Sequence, residues 1–262
     1  MAAKNNFAFL ETDLHDDVVV VTLNRPPVNA VSQAMYQEIR DLFARWDEWF
    51  PTSSVTILRG SGPNFCAGND LVEFLSLTPQ NSAGRMKLVR EAFWAIYDCP
   101  VPVIAAVHGY AVGTGLALAA VCDLVLCADS AQLGVPEVRV GVMGGAKHLS
   151  RLVPDHMVRL MYLTADPLPA SALLPYGGIV EIVPEAQLLD SALTLASRIS
   201  RHSKVAVRTA KQSLNMVEHM DLKAGYEAEQ ALTARLSGSV DSLEARQAMV
   251  EKRQPRFQSN IF

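Results

Sequence analysis

The chain has 262 residues, of which 50% are hydrophobic and 19% charged, with a formal charge of -4. That length holds one large core, or a core with an appendage. An isoelectric point near 5.9 excludes the basic footprint of a nucleic-acid binder, and no acidic tail or basic block offers a charge-driven partner.

Four cysteines, Cys66, Cys99, Cys122 and Cys127, form no CxxC pair and mostly lie in apolar runs, which predicts buried thiols in a reducing compartment rather than disulfides or a metal site. The N-terminal MAAKNNFAFLETD lacks the basic and then apolar pattern of a secretory signal, so a cytoplasmic location is expected.

In chain order, Val18 to Asn24 (VVVVTLN) predicts a strand that Pro26 and Pro27 end. Ser32 predicts the N-cap of a helix from Gln33 to about Phe50, with Met35, Ile39, Leu42, Phe43 and Trp46 spaced for one face. Val55 to Arg59 is the next strand, leading into a turn-rich loop from Ser61 to Asp70 and a short helix from Leu71 to Leu75. Residues 77–84 are polar and weakly patterned, which predicts a mobile loop before a helix from Arg85 to Tyr97.

The stretch from Val101 to Gly141 is the most informative. A β-branched strand, Val101 to Val107, runs into a turn punctuated by Gly109, Gly113 and Gly115, then an apolar helix from Thr114 to about Val121 and a second strand, Leu124 to Ala128. Glycines between a strand and a helix start let backbone approach a ligand, and the first helical amides have no intrahelical partner, so Gly113-Thr114-Gly115 is a candidate anion site. Although long and apolar, the run is interrupted by Pro102, His108, Thr114, Asp123 and glycines. That argues against the roughly twenty unbroken apolar residues of a membrane span.

Helices follow at Lys147 to Leu152 and Pro154 to Leu163. Gly178 to Val183 predicts a short strand, and Pro184 opens a helix to about Ser200. Beyond His202 only helices are expected, at Lys204 to Val217, Leu222 to Leu236 and Asp241 to Lys252. The alternation followed by a helical tail predicts an α/β core over residues 1–202 and a helical module over 203–262.

Three motifs together resemble the crotonase, or enoyl-CoA hydratase/isomerase, superfamily. Phe65-Cys66-Ala67-Gly68-Asn69-Asp70-Leu71 is similar to that family's FCAGxD(L/I) loop. Ile104 to Gly115, running on to Cys122-Asp123, is similar to its AAVxGxAxGxG…CD segment. Pro136-Glu137 with Gly141 shortly after is the third. Leu23-Asn24-Arg25-Pro26 and Glu251 to Phe257 also match, so the resemblance covers nearly the whole chain.

The resemblance implies a spiral of β-β-α units whose C-terminal helices assemble a trimer or a dimer of trimers. It also implies an acyl-CoA thioester as substrate, no metal, and no cofactor beyond the CoA that the substrate carries. Two backbone amides, at the positions of Asn69 and Thr114, would bind the thioester oxygen. Such donors offset the charge that deprotonation beside a thioester places on that oxygen, and losing one costs roughly 3 to 4 kcal/mol of barrier. Thr114 departs from the glycine most often found there. The backbone at Ala67, Asp70 and Leu71, with Arg25, would contact CoA. Lys211, Lys252 and Arg253 are either solvated charges or phosphate contacts.

Many hydratases of the family use two glutamates, where this chain has Ala117 and Glu137. Hydration asks for two jobs, activating water and handling the α-proton. Moving a double bond from β,γ to α,β asks only that one proton leave the α-carbon and return to the γ-carbon, and a single carboxylate can shuttle it. The family's isomerases resemble this chain in having one glutamate and an apolar residue at those positions, and Ala67 to Leu71 resembles the peroxisomal isomerases. Catalytic roles are therefore expected for Glu137, Asn69 and Thr114, with isomerase ahead of hydratase and of a non-catalytic acyl-CoA binder. Hydrolases and decarboxylases also use this scaffold, so fold alone does not fix the reaction. His148, near Gly144-Gly145, is a weaker candidate for a second acid, and His108 reads as a turn histidine.

Overall fold

Runs of β-branched residues become strands, and the glycine and proline breaks between them become the turns of a stepped spiral. The computed structural model describes residues 7–258. Its strands are β1 (Leu10–His15), β2 (Val18–Leu23), β3 (Val55–Gly60), β4 (Val103–Val107), β5 (Tyr110–Val112), β6 (Leu124–Ala128), β7 (Gln132–Gly134), β8 (Leu168–Pro169) and β9 (Glu181–Val183). The helices are α1 (Gln33–Ala44), α2 (Trp46–Trp49), α3 (Leu71–Phe74), α4 (Pro79–Tyr97), α5 (Thr114–Ala120), α6 (Ala146–Leu149), α7 (Asp155–Thr164), α8 (Ala170–Leu173), α9 (Leu188–Ser200), α10 (Lys204–Val217), α11 (Leu222–Ser237) and α12 (Val240–Glu251).

The larger sheet has the order β1-β2-β3-β4-β6-β9, parallel except for the β1-β2 hairpin. Each pass of the chain also leaves a rung in a second layer. Val31 bridges Asn69, Cys66 bridges Ala111, β5 pairs with β7, and β7 pairs with β8. Strand, rung and helix repeat along the spiral, and the rungs carry the loop at 66–69 onto the start of α5.

Both faces of the larger sheet are covered, so its inner strands read as continuous apolar runs rather than alternations. Val19, Val21 and Leu23 join one cluster with Tyr36, Ile39 and Phe93 of α1 and α4, while Val18 and Val20 join Ile57, Ile104 and Leu126 in a second cluster against Leu188, Ala192 and Ala196 of α9. All four cysteines are buried free thiols. Burial pushes Cys66, Cys99 and Cys127 up to about 12, far from the range of a reactive thiolate.

Several expectations are corrected. Of the loop expected over residues 77–84, only 77 and 78 lie outside helix: α4 begins at Pro79, because the Thr78 side chain accepts from the Asn81 amide and Asn81 Oδ1 accepts from the Thr78 amide, a reciprocal cap. The helix expected to reach Phe50 breaks at Arg45, which leaves the helical region. β1 escapes notice because LETDLH is a polar edge strand in which only Leu10 is buried. The two- and three-residue strands β5, β7 and β8 are too short for a periodicity to show.

After residue 202 the described residues form helices alone, α10, α11 and α12, and these leave Leu222, Tyr226, Leu243, Met249 and Val250 exposed. Among the described residues no helix is long and apolar enough to cross a membrane.

Candidate active site

Three chain segments meet at a cleft of about 210 Å³, lined from the 66–74 loop by Ala67, Gly68, Asn69, Leu71 and Phe74, from the β5-α5 corner by Val112, Gly113 and Thr114, and from residues 136–142 by Glu137, Arg139, Val140 and Val142 among others. Its volume is small beside a typical ligand pocket, so it suits a short acyl segment, with the bulk of a larger ligand lying outside.

The corner is shaped by two glycines. Gly113 has φ +57 and ψ -118, a region closed to side chains, and a Cβ there would lie 3.3 Å from Glu137 Oε1 and 3.9 Å from Gly68 Cα. Gly115 lies against the neighbouring loop so closely that a Cβ would stand 2.0 Å from the Cys66 carbonyl oxygen. Thr114, between them, has room for a side chain, and its hydroxyl lies 2.7 Å from the phenol oxygen of Tyr36.

The amides of Asn69 and Thr114 donate to no acceptor among the described residues. For Asn69 the reason is the rung: Val31 N–H donates to the Gly68 carbonyl (2.8 Å) and Asp70 N–H to the Val31 carbonyl (3.0 Å), so the intervening N–H points away from Val31. Thr114 is the first residue of α5, where an N–H has no partner one turn back. The two segments are adjacent, because Tyr36 Oη also donates to Asn69 Oδ1 at 2.8 Å.

Glu137 is the second residue of a 3-10 turn, Pro136–Val140. Its Oε2 is buried without a partner among the described residues, and its Oε1 is flanked by Gly113 and Gly145. Burial pushes its carboxyl up from the ordinary glutamate range, which suits a group that must take and release a proton near neutrality. Ala117, one turn into α5, is buried and apolar.

The cleft thus gathers Ala67, Asn69, Leu71, Thr114 and Glu137, and it does not gather Arg25 and Asp70. Asp70 caps α3 by accepting from Val72 and Glu73, and it pairs with Arg25, whose Nη1 also donates to the Ala30 carbonyl at 2.8 Å. The Glu73 amide, with Arg25, holds the Asp70 carboxyl below its ordinary range. Lys211 is no solvated charge: it is buried, with Nζ 2.7 Å from Asp123 Oδ2 and 3.1 Å from the Val101 carbonyl oxygen. Arg253 pairs with Glu244 and Glu251. His108 Nε2 lies 2.9 Å from the Gly62 carbonyl oxygen, as a turn histidine would. His108 also borders a wider groove of about 620 Å³ beside Arg59 and Glu185, which gathers none of the residues assigned to chemistry.

His148 does not line the cleft. Its Nδ1 is buried without a partner among the described residues, its ring packs 5.0 Å from that of Phe93, and burial followed by the nearby Arg151 holds it below the ordinary histidine range. Tyr36, on the buried stripe of α1, is the residue that motif reading passes over. The apolar stripe read from the sequence, Met35, Ile39, Leu42, Phe43 and Trp46, leaves it out, and the groups it joins lie 33 and 78 residues away.

A stepped β-β-α spiral with two unpaired amides and one half-buried carboxylate around a cleft defines the crotonase class of folds. The match to the family model described as enoyl-CoA hydratase/isomerase extends over residues 13–260. The chain belongs to that family, whose members act on CoA thioesters.

Among its relatives, a protein of Rhodococcus jostii (strain RHA1) named (7aS)-7a-methyl-1,5-dioxo-2,3,5,6,7,7a-hexahydro-1H-indene-carboxyl-CoA hydrolase is 38% identical, over 94% of this chain and 95% of that protein. The 2,3-dehydroadipyl-CoA hydratase of Escherichia coli (strain K12) is 33% identical, over 92% and 94%. Among solved structures, an enoyl-CoA hydratase of Mycobacterium smegmatis superposes with a TM-score of 0.90 at 29% identity, covering 96% of this chain and 99% of that one.

Proposed function

We propose that this protein works through a thioester enolate and shifts the double bond of an enoyl-CoA from β,γ to α,β, with Glu137 as the sole proton carrier. The observation that carries this reading is that Glu137 is the only carboxylate among the described residues lining the cleft. Its carboxylate takes the α-proton, the electron pair moves through the thioester carbon onto oxygen, and the amides of Asn69 and Thr114 donate to that oxygen. The dienolate then collapses as the same proton is delivered to the γ-carbon. No separate cofactor enters this scheme, since CoA arrives on the substrate, its nucleotide lying over the backbone of Ala67 to Leu71.

One observation favours a second reading. The Rhodococcus jostii relative and another of Mycobacterium tuberculosis (strain ATCC 25618 / H37Rv), at 38% and 36% identity, are both named hydrolases of a bicyclic dioxo carboxyl-CoA. The same amides and carboxylate would serve a hydrolysis on a bulky ring-bearing acyl-CoA. Incubation with a β,γ-enoyl-CoA and with a cyclic keto-acyl-CoA, followed by absorbance and mass spectrometry, separates the readings. Gain of conjugation at constant mass is expected for isomerisation, whereas gain of one water or release of free thiol overturns it in favour of hydration or hydrolysis.

The exposed apolar residues of α11 and α12 are those we assign to subunit contacts in a homotrimer, which light scattering of the full chain tests: a monomer would overturn the assignment.

A further inference from the structure

We propose that Tyr36 is a positioning residue of the thioester-oxygen site, tying the Asn69 and Thr114 segments together from beneath. The inference rests on reading the amides of those two residues as the oxygen's donors. Tyr36 is 1% exposed, and it packs edge-on against Phe93, ring centroids 6.1 Å apart at 85°. Its phenol oxygen is 2.8 Å from Asn69 Oδ1 and 2.7 Å from Thr114 Oγ1.

The donor count fixes the direction of this relay. Asn69 Oδ1 can only accept, so the one phenol proton goes to it, and the Thr114 hydroxyl must then donate to the phenol oxygen. One residue from each anion-binding segment is therefore held by a single buried atom, and each bond leaves the backbone N–H of its residue free. The relay also accounts for a threonine at a position where the resembled family motif carries glycine. Its hydroxyl is consumed beneath the cleft, so the added side chain does not compete for the thioester oxygen. Asn69 Nδ2, turned by the fixed Oδ1, has no partner among the described residues.

The consequence is geometric. Amides stabilise an oxyanion only within a few tenths of an ångström of the right separation, and a remote misplacement of about 1 Å can cost on the order of 100-fold in rate. The Cys66 rung joins the two segments, with Cys66 N–H donating to the Tyr110 carbonyl (3.0 Å) and Val112 N–H to the Cys66 carbonyl (3.1 Å), but no main-chain bond joins Asn69 to Thr114 themselves, so beyond that rung the relay trims the spacing of the two amides.

The test uses cinnamoyl-CoA, whose conjugated thioester shifts its absorption to longer wavelength when the carbonyl is polarised, together with α-proton exchange of a saturated acyl-CoA in heavy water. The wild type is expected to produce the red shift. Tyr36→Phe, folded by circular dichroism, is expected to bind free CoA as the wild type does, to lose more than half of the red shift, and to exchange about 10- to 100-fold more slowly. Thr114→Val cuts the relay from its other end without touching the amide, and it serves equally if Tyr36→Phe does not fold. A full red shift in either folded variant overturns the positioning role. Absence of any red shift in the wild type overturns instead the reading of the two amides on which it rests.

Discussion

Oε1 of Glu137 lies 3.3 Å from the point a methyl group on Gly113 would occupy, so the carboxylate is packed directly onto the backbone that carries the Thr114 amide. Gly113→Ala therefore does two things at once: it places a side chain at φ +57 and ψ -118, and it crowds the Glu137 carboxylate, which must give by a few tenths of an ångström. Backbone strain of this kind costs about 1 to 3 kcal/mol. Gly141, at φ +71 and ψ +25 with open space around its Cβ direction, lies in the left-handed region that Ala165 also occupies, so Gly141→Ala supplies a milder strain and no push. Both variants should melt below the wild type, and only Gly113→Ala should also lose α-proton exchange, by at least about 10-fold. Equal loss in both would mean that crowding of Glu137 is not the cause.

Glu137→Gln removes the proton carrier, and exchange should fall by about 100- to 10,000-fold. The same substitution should raise stability at neutral pH. Burial lifts the folded-state pKa of Glu137 above its ordinary value of 4.5, so the folded protein binds its proton more tightly than the unfolded chain does. That preference contributes fully below the unfolded value and is lost as pH rises through the folded one. The variant's advantage in denaturant midpoint should accordingly be absent near pH 4 and grow towards neutrality. Wild-type activity should rise with pH across the same interval. A stability difference independent of pH would show that Glu137 is not desolvated as its burial implies.

The anion corner and the carboxylate were legible because each is local. Gly113-Thr114-Gly115 and Pro136-Glu137 announce a turn at fixed spacing, and strands such as VVVVTL announce burial on both faces. What was not legible is what distant segments do to one another. Tyr36 falls outside the stripe that the helix spacing picks out, and only the fold sets its oxygen between Asn69 and Thr114. Arg25 reads as a CoA contact, and Lys211 as a solvated charge or a phosphate contact, until the fold supplies Asp70 and Asp123. Thr78 and Asn81 did carry a capping signal, but the polar stretch around them hid it.

Asp70 joins α3 to the loop between β2 and α1: it caps α3 through Val72 and Glu73, and it holds Arg25, which reaches back to Ala30. Asp70→Ala should cost about 1 kcal/mol as a lost cap. It should also loosen the Leu71 and Phe74 wall of the cleft, raising KM for an acyl-CoA more than it lowers kcat. Arg25→Ala, made alone and with Asp70→Ala, closes a double-mutant cycle. If Arg25 acts through Asp70, the effects on KM should be far from additive. Additive effects would instead assign Arg25 a contact of its own with CoA.

Lys211 and Asp123 form a buried pair on which the entry to β4 depends. Asp123 Oδ2 accepts from the Val103 amide at 2.7 Å and from Lys211 Nζ at 2.7 Å, and the same ammonium reaches the Val101 carbonyl oxygen at 3.1 Å. Lys211→Met would leave a largely buried carboxylate and a carbonyl without their cation, at a cost of about 3 kcal/mol. Neither residue lines the cleft. The urea midpoint should therefore drop with the slope unchanged, while red-shifted binding of cinnamoyl-CoA per folded molecule stays at the wild-type level. A Lys211→Met protein that unfolds like the wild type but binds acyl-CoA poorly would mean that this lysine meets CoA after all, and that its bond to Asp123 yields when the ligand arrives.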